Sequence, residues 1–143
     1  MLIGEFQYNI DQKGRLMIPA KFRHRFGIDA IITKGLETCL FIFPKDEWEK
    51  VVEKILKLPI SQSNSRAFTR LMLAGAFESS IDNQGRILIP EFLRKYANLE
   101  KKVVIVGLYS RLEVWNEDEW RKYSKESESQ AQEIAEKLGD LGI

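Results

Sequence analysis

The sequence predicts an α+β chain, mainly β, in which one ββαββ unit occurs twice and a helix follows each copy. The first observation behind this is a repeat: DQKGRLMIP from Asp11 to Pro19 returns as DNQGRILIP from Asp82 to Pro90. The second is that the match extends well beyond the motif. At an offset of 71 residues it pairs Gly4 with Gly75, Phe6 with Phe77, Ile10 with Ile81 and Arg23 with Arg94. At an offset of 72 it pairs Gly35-Leu36 with Gly107-Leu108, Leu40 with Leu112, and Asp46-Glu47-Trp48 with Asp118-Glu119-Trp120. The third is periodicity, because apolar residues alternate around each motif and recur at helical spacing after it. Such a match marks one supersecondary design used twice. A core of roughly 60 residues is marginal alone, so copies of that order are expected to fold against each other.

Glu5 to Ile10 reads as a strand with Phe6, Tyr8 and Ile10 on one face, and Ala76 to Ile81 echoes it. Asp11-Gln12-Lys13-Gly14 and Asp82-Asn83-Gln84-Gly85 are turns. In each, Asp bonds following amides and Gly supplies a positive φ, which predicts a hairpin. Arg-Leu-Met-Ile and Arg-Ile-Leu-Ile continue as return strands. Pro19 and Pro90 stop them, since proline has no N–H for a ladder yet suits the first turn of a helix. Short helices follow over Ala20 to Phe26 and Glu91 to Ala97, then strands near Ala30 to Lys34 and Lys102 to Val106. The last strands are Cys39 to Phe43 and Leu112 to Trp115.

Pro44 starts a helix with Trp48, Val51, Val52 and Ile55 as an apolar stripe. Its twin begins at Asn116, spaced from Glu119 as in a capping box, and its polar centre, Ser124 to Gln132, is expected to be exposed or frayed. Between the copies, Pro59 to Ser65 is a polar turn before a short helix with Phe68, Leu71 and Met72 that ends at Gly75. The expected organisation is a first unit with its helix over 1–58, a connecting helix over 59–74, and a second unit with a C-terminal helix over 75–143.

No apolar run approaches the roughly 20 residues of a membrane span and no basic-then-apolar leader is visible, so a soluble, cytoplasmic chain is expected. Cys39, the single cysteine, excludes an intramolecular disulfide and reads as a small buried hydrophobe. The net charge of +1 conceals an uneven distribution. From Asp11 to Arg25, Lys13, Arg15, Lys21, Arg23 and Arg25 oppose one acid, giving +4, whereas Glu113 to Ile143 holds nine acids and four bases, giving −5. A basic patch attracts polyanions whatever the total charge.

Catalysis finds little support. One His and one Cys cannot supply a typical zinc site, and no nucleophile elbow, P-loop or dinucleotide fingerprint occurs. Asp11 and Asp82 are turn formers, and His24 is a solvated residue of a basic helix. The two Gly-Arg pairs stand apart, because each projects a guanidinium from the mouth of a turn, where it suits phosphate or guanine O6 and N7. The alternative is that Arg15 and Arg86 tie Asp11 and Asp82 into structural salt bridges. Lys13 and Gln84, one place before each Gly, are of types that contact phosphates and bases. Lys21, Arg23 and Arg25 add patch electrostatics.

The pair of D-x-x-G-R-x-x-x-P motifs, 71 residues apart with a Trp after each, resembles the MraZ family over nearly the whole chain. The resemblance implies two intertwined swapped-hairpin units of SpoVT-AbrB type, forming a pseudo-dimeric barrel with flanking helices. It implies a homo-oligomeric ring that binds short G-rich direct repeats in double-stranded DNA upstream of its own division and cell-wall gene cluster, usually as a repressor. It further implies a nucleoid-associated protein with no cofactor, small-molecule substrate or membrane partner. Arg15 and Arg86 match the motif arginines assigned to DNA contact, and Lys13 matches the lysine of the first motif. The second motif departs by carrying Gln84, and its window from Asp82 to Tyr96 nets only +1, so the copies need not contribute equally. The competing expectation is a scaffolding oligomer whose basic tips bind acidic protein partners. An antitoxin-like module is disfavoured by the apolar-poor tail after Tyr123.

Overall fold

Every strand pairs with a strand of the other copy, and the last two strands of each copy also pair with each other. The computed structural model describes residues 1–142. The first copy comprises β1 (Leu2–Asn9), β2 (Arg15–Met17), a 3-10 turn leading into α1 (Arg23–Phe26), β3 (Asp29–Lys34), β4 (Leu40–Pro44) and α2 (Lys45–Leu56). A connector, α3 (Ser63–Thr69), widens into a π-type turn over Arg70–Ala74 that ends at Gly75. The second copy comprises β5 (Phe77–Ser80), β6 (Arg86–Leu88), α4 (Glu91–Tyr96), β7 (Lys102–Tyr109), β8 (Leu112–Asn116) and α5 (Glu117–Ser129), followed by α6 (Ala131–Lys137). The ββαββ order expected for each copy is present.

Six strands form one antiparallel sheet in the order β1-β7-β8-β4-β3-β5, and β2 pairs only with β6 in a separate two-stranded ribbon. Exchanging the copies maps that order onto itself, which is the signature of a pseudo-dimer. The turns at Asp11 and Asp82 therefore do not close simple hairpin ladders: β1 crosses to β7, and β5 crosses to β3. The sheet also does not close into a barrel, correcting that part of the expectation. β2 and β6 are three-residue strands between a Gly turn and a proline, and their pairing with each other leaves β1 and β5 as open edges. Leu40 to Phe43 is not an edge, because β4 lies between β8 and β3 at the centre.

Alternation along the central strands builds two cores. Ile32, Ile42, Ile105 and Val114 face the ribbon and short helices, where Leu16, Ile18, Ile87 and Ile89 meet them. Burying such a side chain contributes about 1.5–3 kcal/mol. The opposite face, with Ile31, Phe43, Val104 and Trp115, packs under Trp48, Ile55 and Trp120 from the long helices. The Trp48 ring lies 5.6 Å from Phe43, and that of Trp120 lies 5.4 Å from Trp115, so both repeat tryptophans are internal core contacts. Cys39 is fully buried, with its thiol pushed up to about 12 chiefly by that burial.

The Asn116 half of the expected capping box is present, while the Glu119 side chain turns to Asn98, whose Nδ2 donates to Glu119 Oε1 at 3.4 Å. Asn116 Oδ1 accepts from the amides of Asp118 at 2.9 Å and Glu119 at 3.1 Å, satisfying two otherwise orphaned donors. The helix it opens breaks at Gln130, inside the largely exposed stretch that composition singled out. Among the described residues no helix is long and apolar enough to cross a membrane.

Candidate nucleic-acid interface

The ribbon is clasped from both sides by the motif itself. The Asp11 carboxylate accepts the amides of Lys13 and Arg15, each at 2.9 Å, and Asp82 accepts those of Gln84 and Arg86, also at 2.9 Å. The aspartates sit below the ordinary carboxylate range, chiefly through the backbone N–H of Arg15 in one motif and Arg86 in the other. Gly14 and Gly85 close the turns at φ 84° and 81°, the left-handed region where a side chain is strained. Each glycine carbonyl then accepts an amide from the opposite copy: Ile18 donates to Gly85 at 2.9 Å and Ile89 to Gly14 at 2.8 Å.

Register decides which side chains share a surface. Arg15 pairs with Leu88, Leu16 with Ile87 and Met17 with Arg86. Leu16 and Ile87 are buried, so Arg15, Met17, Arg86 and Leu88 occupy the opposite, outward face. Arg15 and Arg86 are diagonal neighbours there, about 7–8 Å apart by strand geometry. The turns bearing the exposed Lys13 and Gln84 lie at opposite ends of this short ribbon.

Both motif arginines also make the salt bridge weighed as their structural alternative. Arg15 Nε donates to Asp11 Oδ2 at 2.7 Å and Arg86 Nε to Asp82 Oδ2 at 2.8 Å. The pairing engages only Nε. Among the described residues neither guanidinium spends its terminal amino groups on a protein acceptor, so the aspartate orients a fork whose outer donors stay free.

The other basic residues divide by role. Lys21 is exposed, its Nζ 5.0 Å from the Phe6 ring centroid and 5.4 Å from that of Phe22, an arrangement that holds the charge outward. Arg23 is half-buried and donates to Ile18 O at 3.2 Å, lying against Gly85 of the other motif. Arg94 does the same in mirror image, donating to Ile89 O at 3.0 Å beside Gly14. These two arginines clamp the turns of the opposite copy. Arg25 is neutralised by Asp46 at 2.8 Å and Glu47 at 3.1 Å, so it adds little free charge to the patch. Sequence reasoning passed over Met17 and Leu88; their alternation with the buried Leu16 and Ile87 was the available signal. Among the described residues no group of three His, Cys, Asp or Glu is placed to hold a metal ion.

The fold and this face define a class: a single chain built as a pseudo-dimer of interlocked D-x-x-G-R units, with both motif arginines on one ribbon. The chain belongs to the MraZ family. The family model, described as MraZ protein, matches residues 1–71 and again 72–141. The chain is similar to proteins named "Transcriptional regulator MraZ". That of Desulforamulus reducens is 47% identical over 99% of both chains, and that of Caldanaerobacter subterraneus subsp. tengcongensis is 47% identical over 100% of both. That of Pelotomaculum thermopropionicum is 49% identical over 100% of this chain and 99% of its own.

Proposed function

We propose that this chain is a sequence-specific DNA-binding transcriptional regulator that reads G-rich repeats with Arg15 and Arg86. The observation that carries the proposal is the diagonal pair of half-buried guanidinium groups on the outward face of the β2–β6 ribbon. A two-stranded ribbon fits the major groove, where bidentate Arg to guanine O6 and N7 is the commonest specific contact. Holding each Nε on an aspartate reduces the freedom lost when the outer donors bind. Lys13, Gln84 and Lys21 supply phosphate contacts around that centre, while Arg23 adds positive field from its clamp position. Family resemblance supports an oligomeric ring, repression, and a target upstream of the protein's own division and cell-wall gene cluster. A ring would present many ribbons, and linked weak sites gain affinity when their spacing suits the DNA repeats.

The competing reading is a scaffolding oligomer whose basic tips bind acidic protein partners, with the Asp–Arg pairs fixing those tips. Fluorescence anisotropy separates the two, using wild type and Arg15→Ala on duplex from upstream of the gene against a scrambled duplex, at low and physiological salt. Selective wild-type binding, lost in an Arg15→Ala protein of unchanged oligomeric state, is the expected result. Equal binding to both duplexes, or none, removes the regulator reading.

A further inference from the structure

Away from the ribbon, two surfaces stand open and carry opposite charge. One is a groove of about 260 Å³ where the end of α2 meets α3, lined by Ile55, Leu56, Leu58 and Ile60 with Arg66 and Arg70. Leu56 is 69% exposed and Ile60 83%, large values for aliphatic side chains that border a concave apolar site. Arg66 donates to Ile60 O at 3.1 Å and so fixes the loop that presents Ile60. From Lys54 to Arg70 the chain carries Lys54, Lys57, Arg66 and Arg70 and no acid, a net +4.

The other surface runs from the last turn of α5 through the tail. Ile134, Leu138 and Leu141 follow at i, i+4 and i+7 and are 42%, 39% and 72% exposed. Ile134 lies in α6, Leu138 caps it and Leu141 ends the 3-10 turn that follows. Around them Glu126, Glu128, Glu133, Glu136 and Asp140 oppose only Lys137 between Glu126 and Leu141, a net −4. Three aliphatic side chains in an acidic frame thus match, in both chemistry and charge, an aliphatic groove in a basic frame.

Within one chain no tail residue lines the groove, and the opposite charge of the two surfaces points to another copy as the occupant. We propose that the tail of one chain, residues 126–141, docks in the α2–α3 groove of a second copy. This rests on the homo-oligomer reading and names its contact. Donor and acceptor surfaces differ, so the contact is head-to-tail: each added chain brings one free groove and one free tail, and the series ends only where a ring closes. Opposite net charges steer the encounter and weaken it as salt rises.

The test uses two full-length variants: a groove variant, Leu56→Asp with Ile60→Asp, and a tail variant, Ile134→Asp with Leu138→Asp. All four positions are exposed, and circular dichroism with thermal melting checks that each variant folds. Sedimentation of wild type should show a closed oligomer and each variant alone a monomer. An equimolar mixture should run as a heterodimer, because it retains one intact groove facing one intact tail. Variants that assemble like wild type, or a mixture that stays monomeric, overturn the contact and leave the ring reading standing; a monomeric wild type overturns both. If an aspartate variant fails to fold, the exposed pair Arg70→Glu and Glu136→Lys replaces it. Each should weaken association several-fold and their combination restore most of it, whereas additive losses would contradict the docking.

Discussion

In the first copy Ile18 gives its amide to Gly85 at 2.9 Å while Arg23 clamps the same turn. In the second, Ile89 gives its amide to Gly14 at 2.8 Å while Arg94 clamps that one. These framework contacts come in twins, although the amide of Leu88 also donates to Ser79 Oγ at 3.0 Å where the first copy has Tyr8. The tips do not: the exposed position before Gly is Lys13 in one motif and Gln84 in the other. The arms differ as well. β1 pairs with β7 over eight residues, whereas β5 pairs with β3 over four. Gly4 sits inside β1, but its counterpart Gly75 ends the connecting π-type turn, so the second arm starts later. Interlocked positions are constrained by a partner in the opposite copy. Exposed positions lack that constraint and can specialise.

The equivalence of the framework is tested most severely in the core. Leu16→Ala and Ile87→Ala, at matching buried positions facing each other across the ribbon, should each cost about 2–5 kcal/mol in denaturant unfolding. Markedly unequal losses would break the symmetry. Next come the turns, where Gly14→Ala and Gly85→Ala should each cost about 1–3 kcal/mol because both hold positive φ. Gly85→Ala should cost more, since a Cβ there collides with the Arg23 guanidinium and displaces it from Ile18. Adding Arg23→Ala to Gly85→Ala should then cost less than the sum of the single losses, whereas full additivity would contradict the clamp.

Smaller effects sharpen the difference between the tips. Gln84→Lys, which makes the second motif resemble the first, should steepen the dependence of log affinity on log salt by about 0.9 for one added phosphate contact. An unchanged slope would place that tip away from DNA. The mildest effect is on pH. Both aspartates have depressed pKa values, so their charged forms favour the folded state above the ordinary carboxylate range. That contribution is lost as pH falls below about 4. Asp11→Asn and Asp82→Asn should each flatten the stability profile there and leave its shape near neutrality unchanged.

The sequence made the repeat, element order and motif chemistry legible because these are local: Asp, Gly, Arg and Pro each have a backbone reason to occupy their places. Strand exchange is non-local. Nothing in Glu5 to Ile10 specifies that its ladder partner is Lys102 to Val106 rather than its own return strand. The open sheet was hidden for the same reason, since closure depended on whether β2 and β6 joined the main sheet. Arg15 and Arg86 were identified from the motif, but their common face follows from a pairing that only the folded chain defines. Charge counting also could not separate Arg25, bound to acids 21 and 22 residues away, from the freely exposed Lys13.

The most direct test of a shared frame with unequal readers is a double-mutant cycle in DNA binding. Affinities of wild type, Arg15→Ala, Arg86→Ala and the double variant would be measured for the upstream duplex at one physiological salt concentration, with folding and oligomeric state matched. Each single loss should fall within about 1–3 kcal/mol, the Arg15 loss should be the larger, and the two should couple because the side chains share one ribbon face. Full affinity in the double variant would contradict the assignment of that face to DNA.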